Sequence, residues 1–156
     1  MKYRLTVILI GLFLTGLFAQ DKYINPTGTY DFDFETKKIG EDVYGNFGQI
    51  QVLTLSETKI VMTFGINKGA PSYNSGSFVD TLGYMNNIVI YTTPEFDPSC
   101  QITFEFTKLG VNVKEKTDDY NSGCGFGHAV VANGFFKKIS SEIPELRHPM
   151  TDEEIE

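Results

Sequence analysis

The reactive residue types of this chain crowd together at Cys124-Gly125-Phe126-Gly127-His128. A thiol near an imidazole suits nucleophilic catalysis when a third group orients the base. No such group lies nearby, and the other histidine, His148, sits close to the C-terminus. Zinc needs three or four convergent ligands, which this spacing does not offer. Two readings of the segment stand. Either a glycine loop presents Phe126 and His128 to a partner, or the glycines let the chain bend sharply while Phe126 closes one end of the fold.

The remaining polar groups give no catalytic pattern. Asp118-Asp119-Tyr120-Asn121 and Glu41-Asp42 carry oxygen atoms that calcium accepts, but without the ordered spacing of a calcium loop. They read as solvated turns. Asp31, Asp33 and Glu35 could pass for a glycosidase carboxylate set. They alternate with Tyr30, Phe32 and Phe34, which makes them the wet face of a strand instead. Ser72 lacks the Gly-x-Ser-x-Gly frame of a nucleophile elbow. The expectation is a non-enzyme with no cofactor and no metal. The stretch from Gly65 to Gly76 reads as a twelve-residue loop, longer than a hairpin needs. Pro71, Ser72, Tyr73 and Asn74 on it, with Phe126 and His128, are the candidate binding residues.

Where these groups work is set by the first twenty residues. Lys2 and Arg4 precede an uncharged apolar run from Leu5 to Ala19, too short for a membrane span and followed by acidic, turn-rich sequence. This is the pattern of a cleaved signal peptide over 1–20, implying a secreted or periplasmic product. No cysteine stands near the cut, so a lipid anchor through an N-terminal cysteine is excluded. Without Lys2 and Arg4 the chain keeps 11 basic against 20 acidic residues, a net of −9. That balance excludes nucleic acid and anionic membrane surfaces as partners and permits a cationic protein or a small apolar ligand. In an oxidising compartment Cys100 and Cys124 are expected to form one disulfide, restricting the unfolded chain by about 3 kcal/mol.

The elements that must position these groups are strands. Period-two alternation recurs at Tyr30–Glu35, Lys59–Phe64, Asn87–Thr92 and Gln101–Thr107, with Ile60, Met62, Phe64, Ile88, Ile90, Ile102, Phe104 and Phe106 on the apolar faces. Gln49 to Leu55 is apolar on both faces. A two-residue turn at Leu109-Gly110, with Gly relieving a positive φ, would place Lys108 opposite Val111 and Phe106 opposite Val113. That register carries Cys100 to the level of Asp119, a short loop from Cys124. Turns at short intervals give about eight strands over 26–139, Gly28-Thr29-Tyr30 opening the first and Gly134–Lys138 ending the last. The fold class is all-β, a single antiparallel up-and-down barrel, with a sandwich as the alternative. Residues 140–156, acidic and proline-containing, read as a disordered tail.

The ordered set Gly28-Thr29-Tyr30, Ala70-Pro71-Ser72-Tyr73-Asn74 with Gly76, Cys100 followed by Ile102, Phe104 and Phe106, Cys124-Gly125-Phe126-Gly127, and Gly134-Phe135-Phe136-Lys137 resembles an uncharacterised family of small secreted bacterial proteins. More loosely it is similar to calycin-type barrels, which include ligand carriers and small inhibitors of proteases and lysozymes. Tyr30 stands where the carriers have Trp. The resemblance implies a barrel and brings no catalytic residues. The functional expectation is a secreted binding protein, in its most concrete form an inhibitor of a cationic secreted enzyme such as lysozyme. The alternative is a carrier holding a hydrophobic ligand inside the barrel.

Overall fold

The computed structural model describes residues 22–155, and the segment 1–20, expected from the sequence to be a signal peptide, lies outside them. Alternation becomes architecture through nine strands: β1 (Gly28–Phe32), β2 (Lys37–Ile39), β3 (Asp42–Ser56), β4 (Lys59–Gly69), β5 (Ser75–Gly83), β6 (Ile88–Thr93), β7 (Asp97–Phe106), β8 (Gly110–Lys116) and β9 (Gly134–Ser140). Eight of them follow the order β5-β4-β3-β1-β9-β8-β7-β6, every pair antiparallel, while β2 pairs only with β3. Leaving β2 aside, successive strands are sheet neighbours everywhere but between β5 and β6, and the first and last strands meet. This is an up-and-down, nearly closed barrel. Its seam lies between β5 and β6, which share no ladder. There Phe78 and Tyr91 stack with ring centroids 3.8 Å apart and planes 6° from parallel.

Tyr30, Ile50, Val52, Ile60, Met62, Phe64, Ile102, Phe104, Val111 and Phe136 point inward and are 0–1% exposed. Phe64 contacts the rings of Phe78, Phe104, Phe126 and Phe136 with centroids 5.3–6.0 Å apart. The axis is thus filled by the protein's own rings. At one end, here the far end, the Tyr30 hydroxyl donates to the Pro26 carbonyl and the Tyr84 hydroxyl to the Ile24 carbonyl, each at 2.6 Å. These bonds satisfy two buried phenols and lay residues 24–27 beside the far end.

The register of the β7–β8 hairpin differs from the sequence expectation by two residues. Phe106 faces Val111 and Phe104 faces Val113, and the turn is Lys108-Leu109, closed by Thr107 N–H to the Gly110 carbonyl at 2.8 Å. The Thr107 hydroxyl accepts from the N–H groups of Leu109 and Gly110, which selects this turn. Gly110 is required by close approach, not by a positive φ: a Cβ there would strike the Phe136 carbonyl and the Phe135 ring. A shift of two keeps every side chain on its expected face. In β6 the face itself is reversed. Val89 is buried opposite Phe104 while Ile90 is 52% exposed, because Ile88-Val89-Ile90-Tyr91 is apolar on both sides and pairing with β7 decides.

Two spans also differ. The loop expected over Gly65–Gly76 shrinks to residues 70–74, since β4 runs on to Gly69 and β5 begins at Ser75. Phe34, expected inside, leaves the strand after Phe32 and is exposed. Residues 141–155, expected as a disordered tail, instead form a strap over the outside of β3 and β4. Leu146 is buried, Arg147 N–H donates to Gln51 Oε1 at 2.9 Å, and Arg147 bridges to Glu154 in a small antiparallel turn. Gly65 makes room for it, because a Cβ there would press on Pro149. Thr63, on the outward face of β4, is consequently 2% exposed.

Candidate binding rim

The rim is the barrel end where β1, β4, β6 and β8 finish, carrying loops 33–41, 70–74, 94–96 and 117–133. Cys100 and Cys124 are joined there as expected, their Cα atoms 5.1 Å apart. Asp97 binds this corner together. Its Oδ1 accepts from the Ser99 hydroxyl at 2.6 Å and the Ser99 N–H at 2.9 Å. Its Oδ2 accepts from the Thr117 hydroxyl at 2.9 Å and the Cys124 N–H at 3.0 Å. These bonds, that from the Ser99 hydroxyl foremost, hold the carboxyl down at about 2. Asp97 lies with both sulfurs inside a 4.8 Å group of potential metal ligands, but the sulfurs are committed to each other, and the carboxylate serves the loop.

The six candidate contact residues do come to this one end, in two groups. Pro71, Ser72 and Tyr73 are exposed and Asn74 is half-buried. The Tyr73 hydroxyl donates to Asp42 Oδ1 at 2.9 Å and accepts from the Val43 N–H at 3.0 Å. Asn74 Nδ2 donates to the His128 carbonyl at 3.0 Å, and Gly127 N–H donates to the Ser75 carbonyl at 2.9 Å. Two loops more than fifty residues apart in sequence are thus fastened into one ledge carrying Ser72, Tyr73 and His128. Phe126 takes the other role open to it: 7% exposed, it packs on Phe64 and fits only because Gly76 has no side chain.

Charge is uneven between the ends. Asp33, Glu35, Glu41, Asp42, Glu95, Asp118 and Asp119 stand exposed at or beside the rim loops, against Lys37, Lys38 and Lys116. The far-end segments carry Lys22, Glu57 and Lys108.

Two residues of this region are absent from the sequence-based candidates. Asp97 announces itself only as Asp-Pro-Ser before Cys100, a local turn pattern. Glu115 continues the inward series Val111, Val113 on β8 and is 7% exposed; an acid in phase with an apolar face is a readable signal. One of its oxygens accepts from the Ala132 N–H at 2.6 Å and the other has no partner among the described residues. Burial, chiefly, pushes its carboxyl upward, with the Asp97 charge adding to it. No family model, curated protein or solved structure matches this chain, so the barrel and its disulfide rest on the geometry described here.

Proposed function

We propose that the protein is an exported, non-catalytic binding protein whose acidic rim docks a cationic secreted protein, with a lysozyme as the most concrete partner. The observation that carries this reading is the set of seven exposed carboxylates on the loops of the same barrel end that carries the ledge of Ser72, Tyr73 and His128. Such a one-sided field steers an oppositely charged partner to that end and raises the encounter rate. The ledge is pre-ordered by the Tyr73–Asp42, Asn74–His128 and disulfide links, so docking costs little further ordering. The similarity to calycin-type barrels, some of which inhibit lysozymes, supports the same reading. The second candidate, a carrier with its ligand on the barrel axis, is not favoured by an axis packed with aromatic rings.

The test is a lysozyme activity assay at low ionic strength with the purified protein in excess. Inhibition that weakens as salt is added, and that falls in an Asp118→Asn/Asp119→Asn variant, is the expected result. Unchanged lysozyme activity at low salt and excess protein defeats the reading.

A further inference from the structure

A second concave surface lies outside the barrel, where the outer face of β1, β3 and β4 meets the C-terminal strap. It encloses about 730 Å³, inside the roughly 300–1,000 Å³ typical of small-molecule sites. Its construction is specific. Phe34, which stacks on Phe32 just beyond β1, and Phe47 on β3 stand on it 57% and 37% exposed. Planar polar groups line it as well, already oriented: Gln49 Nε2 donates to Asp31 Oδ1 at 2.9 Å, Asn67 Nδ2 donates to the Tyr73 carbonyl at 3.1 Å, and Asn67 Oδ1 accepts from the Gly69 N–H at 2.6 Å. The strap supplies the opposite wall and excludes water from the Thr63 floor.

The lining chemistry selects a ligand class. Aromatic faces beside amides and a carboxylate match a molecule with apolar C–H faces and vicinal hydroxyls at its edges. Arg147, the one lysine or arginine among the described residues of the groove lining, is spoken for: its guanidinium holds Glu145 and the Asp152 carbonyl at 2.7 and 3.0 Å. Asp31 and Asp152 offset Arg147, so the groove has no strong field for a phosphate or a polycation. Gln49 and Asp31 are bonded to each other, and Asn67 to the backbone of Tyr73 and Gly69. What the groove offers a ligand is their remaining carboxylate and amide hydrogen-bonding capacity, which hydroxyls can use and a purely apolar ligand cannot. We propose that this groove is a saccharide-binding site, taking a short neutral oligosaccharide with sugar faces on Phe34 and Phe47 and hydroxyls on Asp31, Gln49 and Asn67. It adjoins the protein-binding rim, sharing Tyr73 and the loop that carries Phe34, but needs neither Ser72 nor His128 nor any of the seven exposed rim carboxylates.

The test is amide chemical-shift mapping of the isotopically labelled full chain during titration with cellotriose, maltotriose and chitotriose, and with an anilinonaphthalene sulfonate dye as apolar probe. The expected result is saturable binding of at least one trisaccharide, with shifts at Phe47, Gln49, Asn67 and the strap. Phe47→Ala and Gln49→Ala should each weaken it by about tenfold or more, whereas Ser72→Ala leaves it unchanged. Both altered side chains are outside the core, and the mapping on the unaltered chain stands even if a variant misfolds. Three silent titrations, binding of the dye alone, or shifts confined to Ser72 and His128 would each overturn the proposal.

Discussion

Asp97 and Glu115 are the two acids whose surroundings move them most clearly in opposite directions, and they oppose each other in acid. The folded state holds Asp97 near 2, below its ordinary 3.8, so its contribution is complete above that ordinary value and disappears as pH falls toward about 2. Glu115 is raised above its ordinary 4.5. Its contribution is present below that value and lost as pH rises through the raised one. Urea-unfolding midpoints across acidic pH therefore separate them. Asp97→Asn should lower stability at neutral pH and flatten the acid-side fall, whereas Glu115→Gln should flatten the loss on the rise toward neutrality. Glu115 was legible as an acid in the inward phase of β8. Of the four bonds of Asp97, the two from Ser99 are a local turn pattern, but those from Thr117 and Cys124 were not legible because both donors lie beyond β8.

At the scale of elements, the disulfide and the strap make separable contributions. Replacing both Cys100 and Cys124 by Ser frees a 24-residue separation and should cost about 3 kcal/mol in chemical denaturation. Phe126→Ala empties the space over Gly76 and should cost about 3–5 kcal/mol in the same assay. Leu146→Asp acts elsewhere. It should release the strap, raising amide exchange in 141–155 and at Thr63 while the barrel strands stay protected; unchanged exchange there would contradict the strap's dependence on one buried leucine. Strict alternation makes β1, β4 and β7 readable, and a two-residue turn makes the β7–β8 pairing readable to within two residues, with every side chain on its expected face. The direction of β6 is not readable where both faces are apolar. Nor is the strap, since it rests on Leu146, a small turn and a bond to Gln51, 96 residues away from Arg147. The groove goes unseen for the same reason: its walls come from distant segments, and Phe34 reads as a core residue until the strand is seen to stop at Phe32.

The whole molecule is a barrel with a filled axis, tied shut at the far end by Tyr30 and Tyr84 and made rigid at the rim by Asp97 and the Cys100–Cys124 bond. With its interior occupied, its outer surfaces are what it can offer, and its rim loops carry more exposed acid than base. The most direct measurement is amide chemical-shift mapping of the labelled protein titrated with lysozyme at low salt, repeated at physiological ionic strength. Shifts clustered at Ser72, Tyr73, His128 and the neighbouring acidic loops, with affinity falling as salt rises, are the predicted result. Shifts on the far end, or none at saturating lysozyme, would contradict it.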